Sequence, residues 1–98
     1  MELTFEAELW EWQGQAAWYF VSLPKEYYGE IKLISATTKR GFGSVRVEAV
    51  IGKTKWRTSI FPDNKSGSYL LPVKKEVRKS ESIDAGEQIS VKIRLLEV

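Results

Sequence analysis

The sequence predicts a mainly β protein: a six-stranded closed or partly open β-barrel built from two pseudo-repeats, with two short helices. Three observations carry this expectation. Apolar and polar residues alternate with period two from Glu2, from Ser44 and from Gln88. Two strand-like runs stop at Leu-Pro, at Leu23-Pro24 and Leu71-Pro72, and each leads into a short basic stretch, a glycine and a long alternating strand. A strand-rich chain of ninety-eight residues must also protect its sheet edges, and closure removes them.

Leu3, Phe5, Ala7 and Leu9 alternate with Glu2, Thr4, Glu6 and Glu8, the pattern of a half-buried strand. Continuing the alternation places Trp10 and Trp12 on the outer face with the acids, where a helix or loop is expected to cover them. Gln13-Gly14-Gln15 is a turn. Ala16 to Leu23 is apolar on both faces and is expected to lie centrally, covered on both sides. Pro24 ends that strand and opens a short helix from Lys25 to Ile34, with Tyr27, Ile31 and Ile34 on one stripe. Gly29 costs that helix roughly 1 kcal/mol relative to alanine. Thr37 to Gly43 is a basic loop ending in Gly41-Phe42-Gly43. Val45 to Ile51 is a strand, Gly52-Lys53 a hairpin turn, and Lys55 to Phe61 the returning strand. Pro62 to Gly67 is a loop by composition. Tyr69 to Pro72 is a short strand, Lys74 to Ser80 a turn or two of helix, and Ile89, Val91, Ile93 and Leu95 mark the last strand.

The chain is of one-domain length, 1–98, with a 43% apolar and 29% charged mix typical of globular proteins. It holds no cysteine and no histidine. Disulfides, thiolate metal sites, cysteine nucleophiles and the commonest general base are therefore absent. No signal peptide and no membrane-length apolar run is read, so a cytoplasmic location is expected. The net charge of +2 conceals a block structure: residues 1–38 carry −4, residues 39–79 carry +8 and residues 80–98 carry −2. The central block makes a basic face if the fold gathers it on one side.

Lys53, Lys55 and Arg57 alternate along one strand face, with Lys39 and Arg40 nearby in sequence. Lys74, Lys75, Arg78 and Lys79 crowd the second helix. Cations beside aromatic rings are what single-stranded nucleic acid requires, because charge tracks the backbone and rings stack on bases. Trp56 faces away from its basic neighbours and is read as core, as are Trp18 and Phe20. Arg78 has a structural reading too, as the partner of Glu76 or Asp84. Asp63 and Asp84 are isolated turn residues, and the loop from Asp63 to Ser68 lacks the spacing of a calcium site.

The segments Trp18 to Pro24, Val45 to Val47, Ile51-Gly52, Tyr69-Leu70-Leu71-Pro72-Val73-Lys74-Lys75-Glu76-Val77-Arg78-Lys79 and Ile83 to Val91 resemble the domain of unknown function family 1905 over nearly the whole chain. The resemblance implies a small bacterial or archaeal β-barrel, which in other members sits beside a bacteriocin-protection type domain. It implies no established activity. Gly86-Glu87 replaces the family's usual Gly-Asp before the last strand. The C-terminal half is also similar to the swapped-hairpin barrels of small dimeric transcription regulators and antitoxins.

The expectation is a non-enzymatic binding module that meets an anionic ligand, nucleic acid first, with Lys53, Lys55, Arg57, Lys74, Lys75 and Arg78. One alternative is a homodimerising or partner-binding adaptor that uses Trp10 and Trp12. Another is a small-ligand pocket at the barrel mouth lined by Trp18, Tyr19, Phe42 and Tyr69. No cofactor, metal or membrane partner is expected.

Overall fold

A computed structural model describes residues 1–14, 17–36 and 43–96. In chain order the strands are β1 (Glu2–Glu8), β2 (Trp10–Glu11), β3 (Tyr19–Ser22), β4 (Val45–Ile51), β5 (Thr54–Asp63), β6 (Ser68–Pro72) and β7 (Gln88–Leu95). A 3₁₀ turn at Lys25–Tyr27 runs into helix α1 (Tyr28–Ser35), and helix α2 spans Lys75–Glu81. All strand neighbours are antiparallel, in the order β1-β7-β4-β5-β6-β3-β2.

Seven strands appear among the described residues where six are expected, because the first strand is interrupted at Leu9. Leu9 is wholly buried; its N–H donates to the Glu87 carbonyl at 2.9 Å and its carbonyl accepts from Gly86 at 2.8 Å. On one side of this break β1 pairs with β7, and on the other β2 pairs with β3. One continuous stretch of chain therefore belongs to both ends of the sheet and makes the barrel nearly closed. β5 plays the same part without interruption: Thr54–Ile60 pair with β4 and Phe61–Asp63 with β6.

The two pseudo-repeats meet along β3 and β6. Val21 stands opposite Leu71, Leu23 donates to the Tyr69 carbonyl, and Val73 donates to the Tyr19 carbonyl, both at 2.9 Å. These mirror-related bonds put a pseudo-twofold axis through the Val21–Leu71 pair. They equate Tyr19 with Tyr69, Leu23 with Val73, and the Lys25-Glu26 start of one helical segment with Lys75-Glu76 of the other. Matching the two Leu-Pro stops is thus out by two residues; Pro24 corresponds to Lys74, and the residue opening each helical segment has extended backbone.

Along β4 and β7 every second side chain enters the core. Val45, Val47, Ala49 and Ile51 from β4 and Ile89, Val91, Ile93 and Leu95 from β7 are buried, and Ile31 and Val77 plug the interior from α1 and α2. Each of the Val, Leu and Ile side chains contributes about 1.5–3 kcal/mol relative to exposure, and Ala49 less. The outer face of β1, β7, β4 and the first half of β5 is polar apart from Val50. Glu2, Arg94, Glu48 and Arg57 lie in one row across the four strands, alternating in sign. Arg94 donates to Glu48 at 3.0 Å, which holds the Glu48 carboxyl below the usual carboxylate range.

Several element boundaries differ from expectation. The strand expected from Ala16 begins at Tyr19, and Pro62 and Asp63 belong to β5, where they face Tyr69 and Ser68. Asp63 instead closes the hairpin, accepting the Ser66 hydroxyl at 2.7 Å and its N–H at 3.3 Å. Gly86-Glu87 forms the turn before β7 with the longer acid, whose Oε1 reaches back to the Asp84 N–H at 2.8 Å. The expected basic loop residues Lys39, Arg40, Gly41 and Phe42 lie outside the described residues. No helix among the described residues is long and apolar enough to cross a membrane.

Candidate functional site: a cationic, aromatic cleft

The two pseudo-equivalent ends of the β3–β6 pair are finished differently. At one end the Tyr69 ring is 1% exposed and packs against Tyr28 of α1, with ring centroids 5.2 Å apart. Burial pushes the Tyr69 phenol above its ordinary pKa, a hydrogen bond with Ser35 acts the other way, and Tyr28 adds a smaller upward push. This end is filled. At the other end the residue matching Tyr28 is Arg78, and the residue matching Tyr69 is Tyr19.

Arg78 lies with its guanidinium 3.7 Å from the centre of the Tyr19 ring, and its Nε donates to the Val73 carbonyl at 3.2 Å. A planar guanidinium suits both contacts at once. The expected carboxylate partners, Glu76 and Asp84, do not bind it; no ion pair to Arg78 is found among the described residues. Its terminal nitrogens keep donors in hand, since a guanidinium carries five.

Beside this pair a cavity of about 480 Å³ opens between the start of β3, the middle of β5 and the start of α2. Trp18, Tyr19 and Trp56 supply its aromatic walls, and Arg57, Lys74, Lys75 and Arg78 supply four cationic side chains. Arg57, Lys74 and Lys75 are exposed and Arg78 is half-buried. Trp56 is 9% exposed, so it is core, as expected, while it also lines the cleft.

Four of the six sequence-designated cations therefore converge. Lys55 does not; it stands on the polar outer face beside Glu48, Lys92 and Arg94. Lys53 sits in the β4–β5 turn, where its backbone N–H donates to Glu81 Oε2 at 3.2 Å. The expected mouth pocket divides as well. Trp18 and Tyr19 line the cleft, Tyr69 closes the opposite end, and Phe42 lies outside the described residues.

α2 is held to the barrel at its middle and at its C-terminal end. Arg78 ties it to Tyr19 and Val73. Glu81 accepts from Lys53 N–H and from Thr54 Oγ1 at 2.5 Å. Gly52 permits this latch: its φ is +59°, and a β-carbon there would fall 1.9 Å from Glu81 Oε1. The backbone that carries Lys74 and Lys75 is thus held beside β3 and β5.

The outer face around β3 corrects a second expectation. Trp12, expected to be covered, and Trp18, read as core, are instead 50% and 52% exposed. Trp10 is half-buried, with its indole N–H donating to Ser22 Oγ at 3.1 Å and its ring 5.2 Å from Phe20. β3 therefore lies between β6 and β2, next to the end of the strand order rather than at its centre, and is covered only on its inner side.

Fold and cleft define a small β-barrel domain with one sealed and one open end. The chain belongs to the family described as a domain of unknown function (DUF1905), whose model matches residues 5–93. No curated protein matches the sequence.

Proposed function

We propose that this domain is a non-enzymatic binding module whose open end takes an anionic ligand, nucleic acid first. The carrying observation is the convergence of Arg57, Lys74, Lys75 and Arg78 on one cleft walled by Trp18 and Tyr19. The cations meet phosphates and the rings offer flat apolar contact, the pairing that binds a nucleic acid strand without reading its sequence. The pseudo-symmetric end supports the reading by contrast. There a tyrosine occupies the place of Arg78 and fills the space, so the open end is not a by-product of barrel geometry.

The test is a salt titration of binding to generic single- and double-stranded DNA and RNA. Binding should strengthen as salt falls, with a log–log slope of about −0.7 per neutralised phosphate on a single strand. Replacing Lys74 and Lys75 together by alanine should weaken binding and flatten that slope by roughly 1 to 1.5. An absence of binding at about 50 mM salt overturns the proposal.

A further inference from the structure

We infer that the apolar groove beside the cleft is a base-stacking platform. The preferred nucleic acid is then single-stranded, with phosphates in the cleft and bases laid across Trp18. This rests on the reading of the cleft given above and deepens it.

The register places Trp10 beside Phe20, and Leu70 between Phe61 and Ser22, on the outer side of β2, β3, β6 and β5. Trp12, Trp18, Phe20, Phe61 and Leu70 line a groove of about 340 Å³ there, without a charged side chain. Trp18 belongs to both this groove and the cationic cleft. An occupant of both must carry anionic groups and flat apolar surface within the width of one indole. A single strand does so at every nucleotide. A duplex keeps its bases stacked on each other and offers the groove none.

The rings are held in place before any ligand arrives. Trp18 stacks on Phe20 with centroids 6.1 Å apart and planes 10° from parallel. Trp12 donates its backbone N–H to the Trp18 carbonyl at 2.8 Å. Its ring lies over Gly14 so closely that a β-carbon there would fall 1.8 Å from it. A fixed aromatic surface loses little entropy on binding, and base stacking on such rings is tolerant of sequence. The neighbouring cations set the sign of the occupant.

The experiment measures anisotropy of three labelled probes at one salt concentration: a single-stranded oligonucleotide, its duplex, and an abasic strand of equal length. Trp12→Ala and Phe61→Ala remove exposed rings; the Lys74→Ala/Lys75→Ala double variant removes charge. Either ring variant should weaken the base-bearing strand roughly tenfold and leave the abasic strand and the salt slope unchanged. The double lysine variant should weaken both strands. If both ring variants bind the base-bearing strand like the parent while the lysine variant falls, the platform is overturned and the cleft reading stands. If the parent binds no probe, both fall. If the ring variants change only the sedimentation coefficient, a second copy covers the groove and the platform is overturned.

Discussion

The Arg78 guanidinium sits over the Tyr19 ring at 3.7 Å, where the other half of the molecule sets Tyr28 against Tyr69 at 5.2 Å. Two helical segments thus dock on two tyrosines by the same pseudo-twofold operation, one through a ring and one through a cation. The exchange of Tyr28 for Arg78 turns a plug into one wall of an open cleft.

Arg78 should matter for stability as well as for ligand binding. Arg78→Ala removes a cation–π contact and a charged donor from the Val73 carbonyl, and should cost about 1–2 kcal/mol in urea unfolding. Arg78→Lys keeps the charge but not the planar fork, and should recover less than half of that loss. An Arg78→Ala variant as stable as the parent would show that the stack contributes nothing.

The Gly52–Glu81 approach is tested by a double-mutant cycle. Gly52→Ala should destabilise by roughly 1–2 kcal/mol or more, from its positive φ and from displacement of the Glu81 carboxylate. Glu81→Ala should cost about 1 kcal/mol through the lost bonds to Lys53 and Thr54. In the pair of substitutions the second loss should be smaller than alone, because both break one latch. Strict additivity would separate Gly52 from the α2 contact.

Tyr69 makes a pH prediction. Its folded-state pKa is raised, first by burial, so its protonated form stabilises the fold. That contribution is whole below the ordinary tyrosine value of about 10 and is lost as pH climbs through the raised value. Tyr69→Phe should cost roughly 1 kcal/mol at neutral pH through its bond with Ser35. It should also lose stability less steeply than the parent at alkaline pH. Parallel stability curves for the two proteins above pH ~10 would contradict the placement.

Much of the barrel was legible because each strand of its polar sheet carries one apolar face. Gln88 to Leu95 alternates without error, Val45 to Ile51 departs from alternation only at Val50, and Gly52 marks the turn between β4 and β5. The β3–β6 region was less so. Both faces of Trp18 to Leu23 are apolar, and a two-sided apolar pattern does not distinguish a covered outer face from an uncovered one. The true repeat register was hidden for a similar reason: proline marks a stop at Pro24 and Pro72, but hydrogen bonding pairs Leu23 with Tyr69 and Val73 with Tyr19. The break at Leu9 depends on bonds to Gly86 and Glu87, far along the chain. Of the cations, Arg57, Lys74, Lys75 and Arg78 meet because β5 and α2 flank the same end. Lys53 and Lys55 do not: Lys55 shares the face of Arg57 but lies two residues nearer the hairpin, beside Lys92 on the outer face, and Lys53 lies in the turn itself.

The most direct test of the account is an amide and indole NMR titration with a short single-stranded oligonucleotide, because the protein contains its own control. Signals of Trp18, Tyr19, Arg57, Lys74 and Lys75 should shift progressively, while those around Tyr28, Ser35 and Tyr69 at the sealed end stay in place. Shifts shared equally by the two ends, or confined to the Lys55–Lys92 face, would contradict a ligand site at the open end.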